Sequence, residues 1–395
     1  MIDLIGLTVS QTSGLSQLII DIAMYFGAFV IVAMALNFQY GNAGVPNMGC
    51  AVQVIAGGFT VSAITTRVTF MVVKAAGVQL KPYSSDYDWV YNNPHNVAVM
   101  TNPFLETQTL LGISLLLFSL ALALVLGSVI GYIIALPAIR LRSTYLMITL
   151  ITMADASQIF GRNIPAITGG TLGVFVPNVF AWYLGNRGIV LAVVTLLIGI
   201  ISFFIFRTML NSPYGRLMRA IRENDGTVES VGKNVVGIRR NILMFASGIT
   251  ALTGVMWAFY ASYVVDNLFM RADWTYWPWL MLILGGPGNN AGTFLGCALI
   301  IALRRIILIS KWSLEQYLFF PIAYVENILL GVLLIAVIIF RPRGLIPEKL
   351  LYIPGINYRK MVTGEAQVDL SDSAKPKAKK SRFKFWGKTE GGESE

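Results

Sequence analysis

The stretch nearest to recognisable chemistry is Gly226-Thr-Val-Glu-Ser-Val-Gly232-Lys233-Asn234. It has the glycines and the lysine of a phosphate-binding loop. Five residues separate those glycines where such a loop has four, and Asn234 stands where a Ser or Thr hydroxyl would hold magnesium. The single histidine, His95, lies between Pro94 and Asn96 in a polar stretch. One histidine excludes multi-histidine zinc sites, and nothing pairs it with a membrane serine. Cys50 and Cys297 sit in apolar or glycine-rich surroundings and suggest neither a disulfide framework nor a zinc site. No catalytic residue, no metal site and no cofactor on this chain are expected.

Two other residue classes remain. Asp21, Asp155, Glu315 and Glu326 are acids in or near apolar runs, and intramembrane acids are functional candidates by default. Asp21 and Glu315 fit an interfacial position. Asp155 and Glu326 read either as proton carriers or as hydrogen-bonding groups inside a large bundle. The second class is uncharged: the amide- and glycine-rich stretches Asn37–Cys50 (NFQYGNAGVPNMGC) and Gly285–Gly292 (GGPGNNAG), each set against apolar runs. Irregular backbone in such a place is tolerated only where it lines a cavity or is buried in protein. Interrupted helices expose backbone groups and half-helix dipoles, which suit a zwitterion near the membrane midplane. Asn37, Asn42, Gly44, Asn47, Gly285, Gly286 and Gly288 are therefore candidates to line a translocation path, with tight helix packing through glycine the competing reading.

The elements that position these residues are membrane spans. Of 395 residues, 55% are hydrophobic and 13% charged, with a mean hydropathy of +0.67. That composition is polytopic rather than soluble. The apolar runs are Leu18–Leu36, Ala51–Val73, Leu110–Leu136, Thr144–Phe160, Gly188–Phe206, Ile242–Val265, the short pair Trp277–Leu284 and Thr293–Leu303, and Tyr317–Phe340. The expected fold is an all-α polytopic membrane helix bundle of about nine transmembrane helices, with eight to ten allowed and the glycine-rich segments broken or re-entrant. Lys74–Thr109 and Gly161–Gly188 read as external loops. Residues 1–17 form a short external N-terminus, 18–348 the membrane domain, and 349–395 a basic cytoplasmic tail. Arg304-Arg305 falls near the outer end of its helix, which is a poor place for two cations. The net charge of +10 sits in membrane-flanking loops and the tail, where it sets topology; nucleic acid does not explain it. The tail, with Ala374–Lys380 reading AKPKAKK, is either solvated or laid on anionic lipid, at roughly 1 kcal/mol per basic residue.

The longest ordered polar segment between two spans is Asn211–Asn241. Arg207, Arg216, Arg219, Arg222, Lys233, Arg239 and Arg240 crowd it, so the positive-inside rule puts it in the cytoplasm. Ser212-Pro213 starts a helix, with Ser as N-cap and Pro at the first helical position. A second short helix runs from about Asp225 to Val231, presenting Gly226, Thr227 and Ser230, and stops at Gly232. A small-faced helix lets another protein approach closely.

Four segments, in order, resemble one family: SPYGRLMRAIREN (Ser212–Asn224) leading into Asp225–Asn234; LPAIRLRSTYLMITLITMADASQIFGRN (Leu136–Asn163) with ITGGTLGV (Ile167–Val174); ILGGPGNNAGTFLGCAL (Ile283–Leu299); and FRPRGLIPEK (Phe340–Lys349). Together they look like the membrane subunits of branched-chain amino acid ABC importers, of the LivM type. The resemblance implies a coupling loop, carried here by Arg219, Arg222, Glu223, Asp225, Gly226, Thr227, Ser230, Gly232 and Asn234, that docks on separate ATP-binding cassette subunits. ATP and Mg²⁺ would be bound there and not on this chain. It further implies a second homologous permease, an extracytoplasmic substrate-binding protein and a multi-pass site in the cytoplasmic membrane, with the N-terminus outside. The family's coupling helix usually carries alanines where this chain has Thr227, Val228 and Ser230. Its first glycine-rich segment usually ends Ser-Leu-Gly-His, against Asn47-Met48-Gly49-Cys50 here.

The path candidates carry no acid or base. A buried charged side chain there would lose several kcal/mol of hydration, whereas an apolar side chain gains about 0.8 kcal/mol per CH₂. Leucine, isoleucine and valine fit; urea passes the same test as the alternative substrate. An ion-coupled secondary transporter using Asp155 or Glu326 is the competing class. The near-match to a phosphate loop gives the first prediction: the isolated subunit shows no saturable ATP binding in equilibrium dialysis. Saturable binding would overturn that reading.

Overall fold

A computed structural model describes residues 2–141, 143–183, 185–309, 322–341 and 344–348. Glu315, the side chain of Glu326 and the tail 349–395 lie outside the described residues. The helices, in order, are α1 (Ile2–Leu36), α2 (Cys50–Phe59), α3 (Thr66–Ala75), α4 (Asp86–His95), α5 (Asn102–Glu106), α6 (Thr109–Arg140), α7 (Ser143–Asn163), α8 (Pro165–Thr168), α9 (Arg187–Asn211), α10 (Pro213–Glu223), α11 (Asp225–Ser230), α12 (Val235–Ala261), α13 (Trp277–Gly285), α14 (Asn290–Ile309) and α15 (Ile322–Phe340). Strands β1 (Val174–Phe175) and β2 (Tyr263–Val264) pair antiparallel in a two-residue ribbon. The architecture is an all-α polytopic bundle.

Six described stretches are long and apolar enough to cross a membrane: Ser16–Gly41, Cys50–Ala75, Thr109–Pro137, Arg187–Asn211, Val235–Ala261 and Asn290–Leu308. A count of about nine requires α7, α13 and α15 to cross as well. α7 has the length, but Asp155, Gln158 and Arg162 lower its hydropathy. α13 is a half-helix of 9 residues. Residues 2–17, read from the sequence as a short N-terminal segment, continue α1 back to Ile2. Lys74–Thr109 is largely helical, because Ser85 caps α4 by accepting from the Asp88 N–H and Asp86 and Asp88 favour its first turn.

The bundle is organised around α12, which is 78% buried over its membrane window. Its neighbours approach so closely because glycine and serine line the crossings. A Cβ on Gly57 would overlap the Ala251 carbonyl oxygen, and one on Gly254 would overlap that of Val54. On the α6 side, Gly127 and Gly131 meet Ala251 and Ser247, while Gly248 meets Ser128. Lipid tails give no hydrophobic drive between helices, so backbone-close packing through small residues holds such a seam. Elsewhere the mid-helix arginines are explained. Arg305 lies 4.1 Å from the Tyr25 ring centroid, and Arg304 lies 4.3 Å from that of Trp277 and 3.5 Å from Asp273. Aromatic faces stabilise a cation that apolar helices alone would not.

The seam predicts that Gly57→Leu destabilises the protein by at least about 1–3 kcal/mol, the usual cost of overpacking. Gly331→Leu serves as control, since an added Cβ there meets nothing within 4 Å. Thermal denaturation of the purified protein checks this; equal midpoints for the two variants would refute the seam.

Candidate functional site

The polar loop folds as its sequence suggests. Ser212 accepts from the Tyr214 N–H at 3.2 Å and starts α10. Asn224 accepts from the Thr227 N–H at 3.1 Å and starts α11, and Asn234 accepts from the Gly237 N–H at 2.8 Å and starts α12. Amide and hydroxyl side chains at these caps satisfy helix N–H groups that have no intrahelical partner. Val228 turns inward onto Ile221 and Val235, anchoring α11 to α10 and to the start of α12. Asp225 takes both of its oxygens to Arg239 Nη2, at 2.8 and 2.6 Å, a second tie between α11 and α12. Gly226, Thr227, Ser230, Val231 and Gly232 face outward. A Cβ at Gly232 would meet nothing within 4 Å. Its φ of 76° is the left-handed conformation that ends α11 and favours glycine.

The two amide-rich breaks meet at the same end of the bundle. α1 ends in a π-turn over Asn37–Gly41, and irregular backbone continues to α2. Asn37, Gln39, Asn42 and Asn47 are all buried, as irregular backbone in a membrane protein requires. Asn37 reaches across to the second break, while Asn42 and Asn47 bond within the first. The Gly288 N–H donates to Asn37 Oδ1 at 2.8 Å, and Asn37 Nδ2 donates to Asn290 Oδ1 at 2.8 Å. Asn42 Nδ2 donates to the Asn37 carbonyl at 3.0 Å, and Asn47 Nδ2 donates to Gln39 Oε1 at 2.7 Å. Trp279 Nε1 donates to the Asn47 carbonyl at 3.0 Å. The turn after α13 is closed by the chain beyond α15, whose Leu345 and Ile346 N–H groups donate to the carbonyls of Leu284 and Gly285.

Arg222 joins the loop to this cluster. Its Nη1 donates to the Gly41 carbonyl, and its Nη2 contacts Glu348 at 2.8 Å and Glu223 at 3.0 Å. Gly44 and Gly288 lie against its stem and guanidinium, where a Cβ on either would crowd it. Burial pulls the Arg222 pKa down, but the hydrogen bonds and charges of Glu348 and Glu223 outweigh it and leave it raised. The guanidinium is therefore charged throughout the physiological range.

Two groups of residues that the sequence treats separately, the loop set and the path set, thus meet through one side chain. Arg222, Glu223, Gly44, Gly288 and Asn37 come together. Gly285 and Gly286 pack behind them, against Gly292 and Gly344. Arg219 sits apart, 3.5 Å from the Leu210 carbonyl. The sequence gives no hint of Glu348 as a partner, because it lies 126 positions beyond Arg222. Asp155 is not a solitary acid: Arg271 pairs with it at 2.5 Å.

Arg222→Lys keeps the charge but cannot span a carbonyl and two carboxylates with one planar fork. Arg222→Lys is therefore expected to lower the thermal denaturation midpoint of the purified protein, because the Gly41 carbonyl or a carboxylate loses its donor. A midpoint equal to that of the parent protein would count against the connection.

A family model described as the permease component of the branched-chain amino acid transport system matches residues 18–338. The probable branched-chain amino acid transport permease protein LivM of Methanocaldococcus jannaschii is 33% identical over 341 residues, covering 86% of this chain and 96% of that protein. The high-affinity branched-chain amino acid transport permease proteins LivM of Salmonella typhimurium and Escherichia coli are each 24% identical over 253 residues, 58% of this chain and 56% of theirs. No solved structure matches. With a family model across the membrane bundle and a relative aligned over nearly its whole length, the chain belongs to the family of branched-chain amino acid transport permeases.

Proposed function

We propose that this chain is the membrane-spanning permease subunit of an ATP-driven importer of leucine, isoleucine and valine. ATP and Mg²⁺ are held by separate ATP-binding cassette subunits that dock on α11. A second, homologous permease and an extracytoplasmic binding protein complete the assembly. The α11 end faces the cytoplasm, as the arginines around it favour. The observation that carries the reading is the pair of ties leaving that exposed platform. Asp225–Arg239 and Val228 lead into α12, and Arg222 leads to both helix breaks.

A displacement of α11 by its partner would then reach the bundle by two routes. One turns the first turn of α12, which is packed backbone to backbone on α2 and α6. The other pulls on the Gly41 carbonyl, where α1 ends. Packed elements of this kind shift as units between discrete arrangements, which is how a small movement at one end is transmitted. The chain supplies the moving parts, and the energy arrives through the loop.

Two measurements test this. Competition for labelled leucine uptake in the reconstituted complex should show inhibition by isoleucine and valine. Inhibition by lysine or urea in their place would refute the substrate class. Gly226→Trp adds bulk on the outward face, where only the Asn224 side chain lies near. It should abolish ATPase association and uptake while leaving the chain inserted; normal assembly with that variant would remove α11 as the docking element.

A further inference from the structure

At the end of the bundle away from α11, α7 faces the segment Asp266–Tyr276 across a cleft of about 590 Å³. That size lies within the ordinary range for small-molecule sites. Its lining includes two acids, Asp155 and Asp266, two bases, Arg162 and Arg271, and the apolar surfaces of Ile159 and Met270. The charges are crossed. α7 contributes the acid of one pair, Asp155–Arg271 at 2.5 Å, and the base of the other, Arg162–Asp266 at 3.8 Å.

The two pairs are not equivalent. Arg271 holds one oxygen of Asp155, Oδ2, while the carboxylate side chain stays 45% exposed. The second contact is too long for a hydrogen bond, and the Arg162 side chain is 60% exposed. Asp266 is buried, and its carbonyl accepts from Gln158 Nε2 at 3.0 Å. Arg162 thus has donors to give, and Asp155 has an acceptor to give. Both lie on α7 seven residues apart, about 10.5 Å along the axis, and long helical side chains lean back toward the N-terminus, which brings Arg162 toward Asp155.

We propose that this cleft is a receiving site for α-amino acids, with the ligand ammonium on Asp155, its carboxylate on Arg162 and its side chain on Ile159 and Met270. The four protein charges sum to zero. A ligand of net charge would leave one ion uncompensated. A zwitterion replaces charge with charge, and an apolar side chain meets apolar lining. Arg271 is a positioning residue that holds the Asp155 carboxylate in place. The site rests on the importer reading above and names the chemistry by which that importer would accept its cargo.

The test uses the complete importer in vesicles. Wild-type uptake of labelled isoleucine comes first; its absence overturns the importer reading, whatever the variants do. Given that uptake, Asp155→Asn and Arg162→Gln are each expected to lower it at least tenfold, with ATP hydrolysis stimulated by the loaded binding protein kept within about twofold. Unchanged uptake overturns the site. Loss of both uptake and stimulation assigns the residues to docking or folding and also overturns it. The exchanged pair Arg162→Asp with Asp266→Arg restores an ion pair but removes the cation from α7. Recovery of uptake in that double variant would show the contacts to be structural staples and would equally overturn the site.

Discussion

A helix that stops inside a membrane protein frees carbonyl oxygens that water cannot reach, and each must find a donor within the fold. In this chain the carbonyl of Gly41, at the end of α1, finds its donor in Arg222 of the polar loop. The rest of the arrangement follows from that bond. A guanidinium brought to the bundle needs counter-charge, which Glu348 supplies from just beyond α15. The guanidinium also needs space, which Gly44 and Gly288 provide by having no side chain. The break in α1, the turn between α13 and α14, the end of the membrane domain and the loop are therefore one polar cluster. Removing the guanidinium would strand a buried carbonyl and a partly buried carboxylate together.

A second constraint acts deeper in the bundle. α12 contacts α2 and α6 through glycine, alanine and serine, so the helices meet at backbone distance. Such contacts give little room for gradual deformation. They favour rigid displacement of whole helices, and α12 is also tied near its start to α11 by Asp225–Arg239. The polar cluster gathers the breaks at one end of the bundle, and the seam holds α12 against α2 and α6 deeper within it.

Much of this was legible in the sequence, because membrane spans, caps and positive loops follow local rules. The Ser212 cap, the short helix with its small outward face and the glycine-rich breaks follow from residue types a few positions apart. What escaped needed distance information. The Arg222–Glu348 contact spans most of the second half of the chain. Arg271, the partner of Asp155, lies 116 positions away in a stretch that reads as a short loop. Arg304-Arg305 looks misplaced in an apolar helix because hydropathy counts charge but not the rings of Tyr25 and Trp277 that receive it. The amides of Asn37, Asn42 and Asn47 suggested a lining for a path; the partners they hold, Gly288 and Asn290 for Asn37, the Asn37 carbonyl for Asn42 and Gln39 for Asn47, are not foreseeable from spacing alone.

Cys50 and Cys297 are both buried, at 2% and 0% exposure. Cys50 Sγ lies 3.4 Å from the Asn47 carbonyl, inside the first break, and Cys297 faces the Phe29 carbonyl from α14. A thiol reagent needs access to the sulfur, and a buried thiol offers none. The folded chain is consequently expected to be unreactive toward water-soluble maleimides. A cysteine introduced on α11 or on the exposed face of α7 would be the reactive one, so spin labels and fluorophores can report on either end of the bundle without first removing the native thiols.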